Sequence, residues 1–107
     1  MKRLLSAIAA TAMAAAAHAQ PWDGAITGKV GTIDVAQANN FAFRVSIGGQ
    51  AMCTNGPSWA YVNATDANYK AYMSLIMLAR SMDKPVVVFS TKDPNGFCQI
   101  GFVSMPG

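Results

Sequence analysis

Phe41-Ala42-Phe43-Arg44-Val45-Ser46-Ile47-Gly48-Gly49 is the stretch that decides the fold class. Phe41, Phe43, Val45 and Ile47 alternate with Ala42, Arg44 and Ser46, the period of a strand with one buried and one wetter face. Gly48-Gly49 supplies a hairpin turn, and Gln50 to Thr54 is expected to return as a strand carrying Cys53. Upstream, Ile26 to Val35 reads as an earlier strand, closed by the polar break Gln37-Ala38-Asn39-Asn40. Downstream, Asn55-Gly56-Pro57-Ser58 concentrates residues that favour positive φ or fix φ, so it is a turn or loop. Trp59 to Val62 leads out of it as a short extended piece.

A change of period follows. Asn63-Ala64-Thr65-Asp66 offers several N-caps, and Ala67 to Met82 contains neither Gly nor Pro. Tyr69, Tyr72, Met73, Ile76 and Ala79 recur at three and four, which defines the apolar face of a helix over about Asp66 to Met82. Leu75, Met77, Leu78 and Met82 extend apolar character around most of its circumference, more than one sheet face can cover. Met73, Met77, Leu78 and Arg80 are therefore candidates for a self-association interface. Pro85 stops the helix, and Val86 to Phe89 begins a continuous apolar strand running into Ser90-Thr91. Lys92-Asp93-Pro94-Asn95-Gly96 is a hairpin loop, and Phe97 to Met105 returns with Cys98, Ile100 and Phe102 on one inner face. Three strands, a helix and two strands predict a mainly β protein: a five-stranded, partly open barrel with the helix closing one end. The alternative is an α+β open sheet with the helix on one face.

The start of the chain has a different character. Met1-Lys2-Arg3, the apolar run Leu4 to Ala17 and the small-x-small signal Ala17-His18-Ala19 read as a secretory signal peptide over residues 1–19, too short for a membrane span. One domain over residues 20–107 remains, bound for the periplasm or the exterior. There, Lys29, Arg44, Lys70, Arg80, Lys84 and Lys92 nearly balance Asp23, Asp34, Asp66, Asp83 and Asp93, so the precursor's net charge of +3 is mostly leader. Such a balance gives no reason to infer nucleic-acid binding. The one histidine, His18, leaves with the leader, and the chain has no glutamate. Ser-His-Asp, Cys-His and imidazole–metal arrangements are thereby excluded. The aspartates form no spaced acid pair, and the Lys92–Gly96 loop lacks the terminal glutamate of a calcium loop. No enzyme activity, metal or cofactor is expected.

Cys53 and Cys98, an even and widely spaced pair in an exported chain, read as one structural disulfide. Closing a loop of that length removes about 4 kcal/mol of unfolded-chain entropy. Trp22, Trp59, Tyr61, Tyr69 and Tyr72 serve either a core or a stacking surface, with the helical pair Tyr69 and Tyr72 assigned to packing. Trp22 is the more open case, because it stands near the start of the mature chain.

At Trp22-Asp23-Gly24-Ala25-Ile26-Thr27-Gly28, the Cys53 region, Trp59-Ala60, the helix through Tyr69 to Ala79, and Lys84-Pro85-Val86-Val87-Val88-Phe89, the chain resembles the B subunits of subtilase cytotoxin and typhoid-like toxins. The likeness is discontinuous but covers most of the mature domain. It implies an oligonucleotide/oligosaccharide-binding (OB) barrel, a ring of five copies with the helices lining its centre, and recognition of sialylated glycans on host cells. It also implies a separate enzymatic A chain. Thr27 matches a pocket serine of the family, whereas the place of a family tyrosine after the helix is held by Ser90, beside Phe89. The resulting expectation is a secreted or periplasmic homo-oligomer that binds a cell-surface glycan. Its pocket would be a shallow polar one on the outer side of the barrel, bordered by Thr27, Gly28, Trp22 and Asp23. The alternative is a protein-interaction or inhibitor module without a sugar pocket.

Overall fold

A computed structural model describes residues 21–107, so the leader read over residues 1–19 lies outside the described residues. The elements are β1 (Gly24–Lys29), β2 (Ile33–Val35), β3 (Phe43–Val45), β4 (Ala60–Val62), α1 (Tyr69–Ser81), β5 (Pro85–Lys92) and β6 (Cys98–Ser104). They make one six-stranded sheet in the order β1-β5-β6-β4-β3-β2. Every neighbouring pair is antiparallel except β4 with β6, which is parallel. The fold is mainly β with one helix, as the periodicity predicts, but its strands are not the five expected.

Three local causes account for the difference. The first stretch breaks at Val30-Gly31-Thr32 into β1 and β2. Trp59 to Val62 contributes a fully buried inner strand, β4, where only a short lead-out was expected. Gly48 and Gly49 do make the expected turn, with left-handed φ values of 60° and 72° and the Gln50 N–H on the Ile47 carbonyl at 3.2 Å. Gln50 to Thr54 nevertheless does not return as a strand, its amides being taken elsewhere: Met52 N–H by the Pro57 carbonyl at 2.9 Å and Thr54 N–H by the Asp23 carbonyl at 3.0 Å. The segment then crosses to β1 instead of lying beside β3. A Cβ on Gly24 would stand 2.1 Å from the Met52 carbonyl oxygen, so only glycine permits this backbone-on-backbone approach.

β1 and β2 are opposite edges of the sheet, yet only Val30, Gly31 and Thr32 separate them. In a flat sheet five strand spacings would put those edges about 24 Å apart. The chain from Lys29 to Ile33 reaches at most about 14 Å. The sheet therefore curls until its edges approach one another. The corner is held by Gly31 N–H to the Ser46 carbonyl (2.8 Å), Ser46 N–H to the Thr32 carbonyl (3.0 Å), and the Arg80 guanidinium donating to the Gly31 carbonyl.

Inside the curl lie Phe43, Val45, Ile47, Met52, Val62, Val86, Val88 and Ile100. Helix α1 adds Ile76 and Ala79, with Tyr69, Tyr72, Met73 and Leu75 partly buried against the same core. Met77, Leu78 and Met82 stay 40%, 48% and 50% exposed. In β5 the alternation buries Val86, Val88 and Ser90 and turns Val87, Phe89 and Thr91 outward. β6 begins in phase, with Cys98 and Ile100 buried, and then slips. Phe89 is opposite Phe102 while Ser90 is opposite Ile100, which makes Gly101 the extra residue of a bulge. Val103 is buried beyond it, and Phe102, expected inside with Cys98 and Ile100, is 49% exposed on the outer face. Cys53 and Cys98 are bonded, with their Cα atoms 5.7 Å apart, which ties the irregular segment to β6. Among the described residues no helix is long and apolar enough to cross a membrane.

Candidate functional site

Two features of β1 and β5 open a depression on the outer face of the sheet. Ala25 and Thr27 of β1 stand opposite Phe89 and Val87 of β5. Gly24 and Ala25 are too small to fill the space beside Phe89, and the chain before β1 lays Trp22 across its edge. The result is an open depression of about 450 Å³ lined by Trp22, Asp23, Gly24, Ala25 and Phe89.

Aromatic packing sets its wall. Trp22 and Phe89 have ring centroids 5.8 Å apart, Trp22 and Phe102 are stacked at 6.4 Å, and Phe89 and Phe102 stand at 5.1 Å. The bulge produces this shelf, because it brings Phe102 outward and puts Gly101 under the indole. A Cβ on Gly101 would come within 2.5 Å of Trp22 Cζ3.

Asp23 is the polar member. Its N–H donates to the Ser90 carbonyl at 2.9 Å, and its own carbonyl accepts from Thr54 N–H (3.0 Å) and Thr54 Oγ1 (2.9 Å). Its carboxylate Oδ2 accepts the Lys92 N–H at 2.6 Å. The residue is thus held between the end of β5 and the loop carrying Cys53. A carboxylate is an acceptor only, so it calls for donors from a ligand.

Of the expected pocket residues, Trp22 and Asp23, neighbours in sequence, line the depression. Thr27 is exposed one outward position beyond Ala25, adjoining the depression without lining it. Gly28 faces the interior, where a Cβ would lie 2.7 Å from Ile47 Cγ2, so its bareness serves core packing. Ser90 is fully buried and donates Oγ–H to the Met52 carbonyl at 3.0 Å, on the face opposite Phe89. Of the candidate interface residues, Met77 and Leu78 are exposed, Met73 packs partly on the core and Arg80 is engaged with Gly31. Gly24, Ala25, Phe89 and Phe102 were not among the expected site residues. Phase with Val86 and Val88 could have turned Phe89 outward, and a glycine inside a strand signals a bulge or a close approach.

A second aromatic group gathers at the starts of β3, β4 and β6. Phe41 stands 4.3 Å from Tyr61 and 5.5 Å from Phe97, and Trp59 stacks on Phe97 at 5.3 Å. The Arg44 guanidinium lies 5.9 Å over the Trp59 ring. Phe41 has a left-handed φ of 55°, held by its N–H donating to Asn63 Oδ1 at 2.9 Å. Tyr61 Oη donates to Asp93 Oδ2 at 2.6 Å. Burial, then this bond and the Asp93 charge, push the Tyr61 phenol well above its ordinary value. For Asp93 desolvation acts upward but is outweighed by hydrogen bonds from Tyr61 and from the backbone N–H groups of Phe97, Asn95 and Gly96, so its carboxyl is held low. These groups are spent on one another and on the β5–β6 turn.

The depression can stack the C–H face of a sugar ring on Trp22 or Phe89 and accept hydroxyl protons on Asp23. Among the described residues no three of His, Cys, Asp or Glu gather to hold a metal ion. No family model, curated protein or solved structure matches the chain.

Proposed function

We propose that the protein is an exported, non-enzymatic binding module of the toxin-B-subunit type that holds a glycan in the depression bordered by Trp22, Asp23, Ala25 and Phe89. The observation that carries this reading is the solvent-open aromatic shelf with one fixed carboxylate at its edge. The absence of histidine and glutamate after the leader, with both cysteines bridged, favours binding over catalysis. The curl that brings β1 and β2 together supports an OB-type, partly open barrel as the description of the sheet. Exposed Met77, Leu78 and Met82 support self-association, with a ring of five as the expected form and a separate A chain as its partner. Repeated copies would turn a weak shallow site into an avid surface. The same exposed apolar residues also favour the second reading, a protein-interaction or inhibitor module.

Glycan-array binding by refolded, oxidised protein separates the two, with Trp22→Ala and Thr27→Val compared after folding and assembly are matched. Trp22→Ala should abolish binding. Thr27→Val removes a rim hydroxyl and should weaken binding by about 1 to 3 kcal/mol if Thr27 meets the ligand. Unchanged affinity would remove Thr27 from the site, and no glycan binding by the wild type would transfer the assignment to the protein-interaction reading. Multi-angle scattering counts the subunits, and a strict monomer would end the ring model.

A further inference from the structure

We infer that the depression selects a neutral, hydroxyl-bearing sugar ring and rejects a carboxylate-bearing one, an inference that rests on the glycan-binding reading. Of the five lining residues, Trp22, Asp23, Gly24, Ala25 and Phe89, only Asp23 is ionisable, and its charge is negative. That charge is fixed in place. The Asp23 backbone is bonded to Ser90 and Thr54 on two sides, and its Oδ2 accepts the Lys92 N–H, so the carboxylate cannot turn away without breaking that bond.

Recognition of an acidic sugar calls for the opposite equipment. Carboxylate ligands are held by an arginine fork or by free backbone N–H groups at a helix start. Neither lines this depression. Arg80 donates to the Gly31 carbonyl, Arg44 lies over Trp59, and Lys29 is paired with Asp83 at 3.0 Å. Lys92 approaches Asp23 through its backbone N–H, and its ammonium is not part of the lining. The Asp23 N–H is already given to Ser90. A pyranose without a carboxylate meets what is present: hydroxyl protons for the acceptor-only Asp23 and an apolar C–H face for Trp22 and Phe89.

The test compares a galactose-terminated oligosaccharide with the same oligosaccharide capped by sialic acid, on wild-type protein and on Asp23→Asn. Asparagine keeps an acceptor for the Lys92 N–H while removing the charge. Wild-type protein should bind the neutral sugar at least tenfold more tightly. The preference should shrink as salt is raised, because screening relaxes repulsion of the acid. Asp23→Asn should weaken neutral binding and narrow the ratio between the two ligands. Equal or tighter binding of the sialylated sugar by wild type overturns the inference and leaves the glycan-binding reading standing. A ratio unchanged by both salt and Asp23→Asn likewise overturns it. Binding of neither sugar, in this pair and across neutral glucosides and mannosides, overturns the reading and the inference together.

Discussion

Replacing both cysteines, Cys53→Ala with Cys98→Ala, removes a bridge across 45 residues. The loop-entropy estimate for that length is about 4 kcal/mol. A domain of this size has about 5 to 15 kcal/mol in total, so the variant keeps only part of its margin. Packing adds to the loss. Both half-cystines are nearly inaccessible, and Gly56 closes over them so tightly that a Cβ there would stand 2.5 and 2.6 Å from the two sulfurs. Truncation to alanine leaves that contact empty. Urea unfolding followed by tryptophan fluorescence should show the midpoint falling and the slope rising, since an uncrosslinked unfolded chain exposes more surface. The Cys53 loop also holds Asp23 through Thr54, so ligand binding should fail at lower urea than the global transition. A loss below about 1 kcal/mol would refute the entropy argument. Failure of binding only at the global midpoint would refute the link from bridge to depression.

Gly101→Ala forces Trp22 off its seat, given the 2.5 Å approach, and should destabilise by about 1 to 3 kcal/mol with a shift in tryptophan emission. Ala25→Leu, on an exposed outward position, should fill the depression and abolish glycan binding while moving the urea midpoint little. The Tyr61 phenol stays protonated in the fold above its ordinary value of 10.0, so stability should decline as pH rises through 10 and the unfolded chain alone ionises. The depressed Asp93 carboxyl contributes stability present above its ordinary value of 3.8 and lost as pH falls through the lowered one. Asp93→Asn should flatten that acid limb in a series of urea midpoints against pH.

The elements whose residues interact with their own neighbours were legible. The helix lies over Tyr69–Ser81 within the expected Asp66 to Met82, and Phe43, Val45 and Ile47 face inward as their alternation requires, although Phe41 falls outside the strand at a left-handed φ and Ala42, expected on the wetter face, is buried. The Lys92–Gly96 turn closes through Asp93 N–H to the Phe97 carbonyl at 2.8 Å. What could not be read were choices made between distant segments. Ala60-Tyr61-Val62 is too short to announce a central strand, and its parallel pairing with β6 depends on where β6 happens to pass. Gln50 to Thr54 has a strand-like position after a turn but is tied to β6 by the disulfide and seated against the start of β1 by bare Gly24 and the Thr54 N–H bond to the Asp23 carbonyl. The site followed the same division. Trp22 was an open case by its place near the start of the mature chain and Asp23 entered only with the family resemblance, whereas Phe89 and Phe102 were hidden in apolar runs whose outward phase is set by buried Val86 and Val88 and by the bulge at Gly101.

The short corner from Lys29 to Ile33 also bears on how the chain fares while it folds. A flat six-stranded sheet would offer two long rows of unpaired amides, each a template for another molecule's strand. Here the two rows are drawn toward each other by one continuous piece of chain, and the Arg80 clasp on Gly31 ties that piece to the end of the helix. Loosening that clasp, as in Arg80→Ala, should therefore show first as concentration-dependent aggregation during refolding and only second as a lower melting temperature. In that sense the corner acts as a guard against strand exchange between crowded copies, with the helix end as its latch.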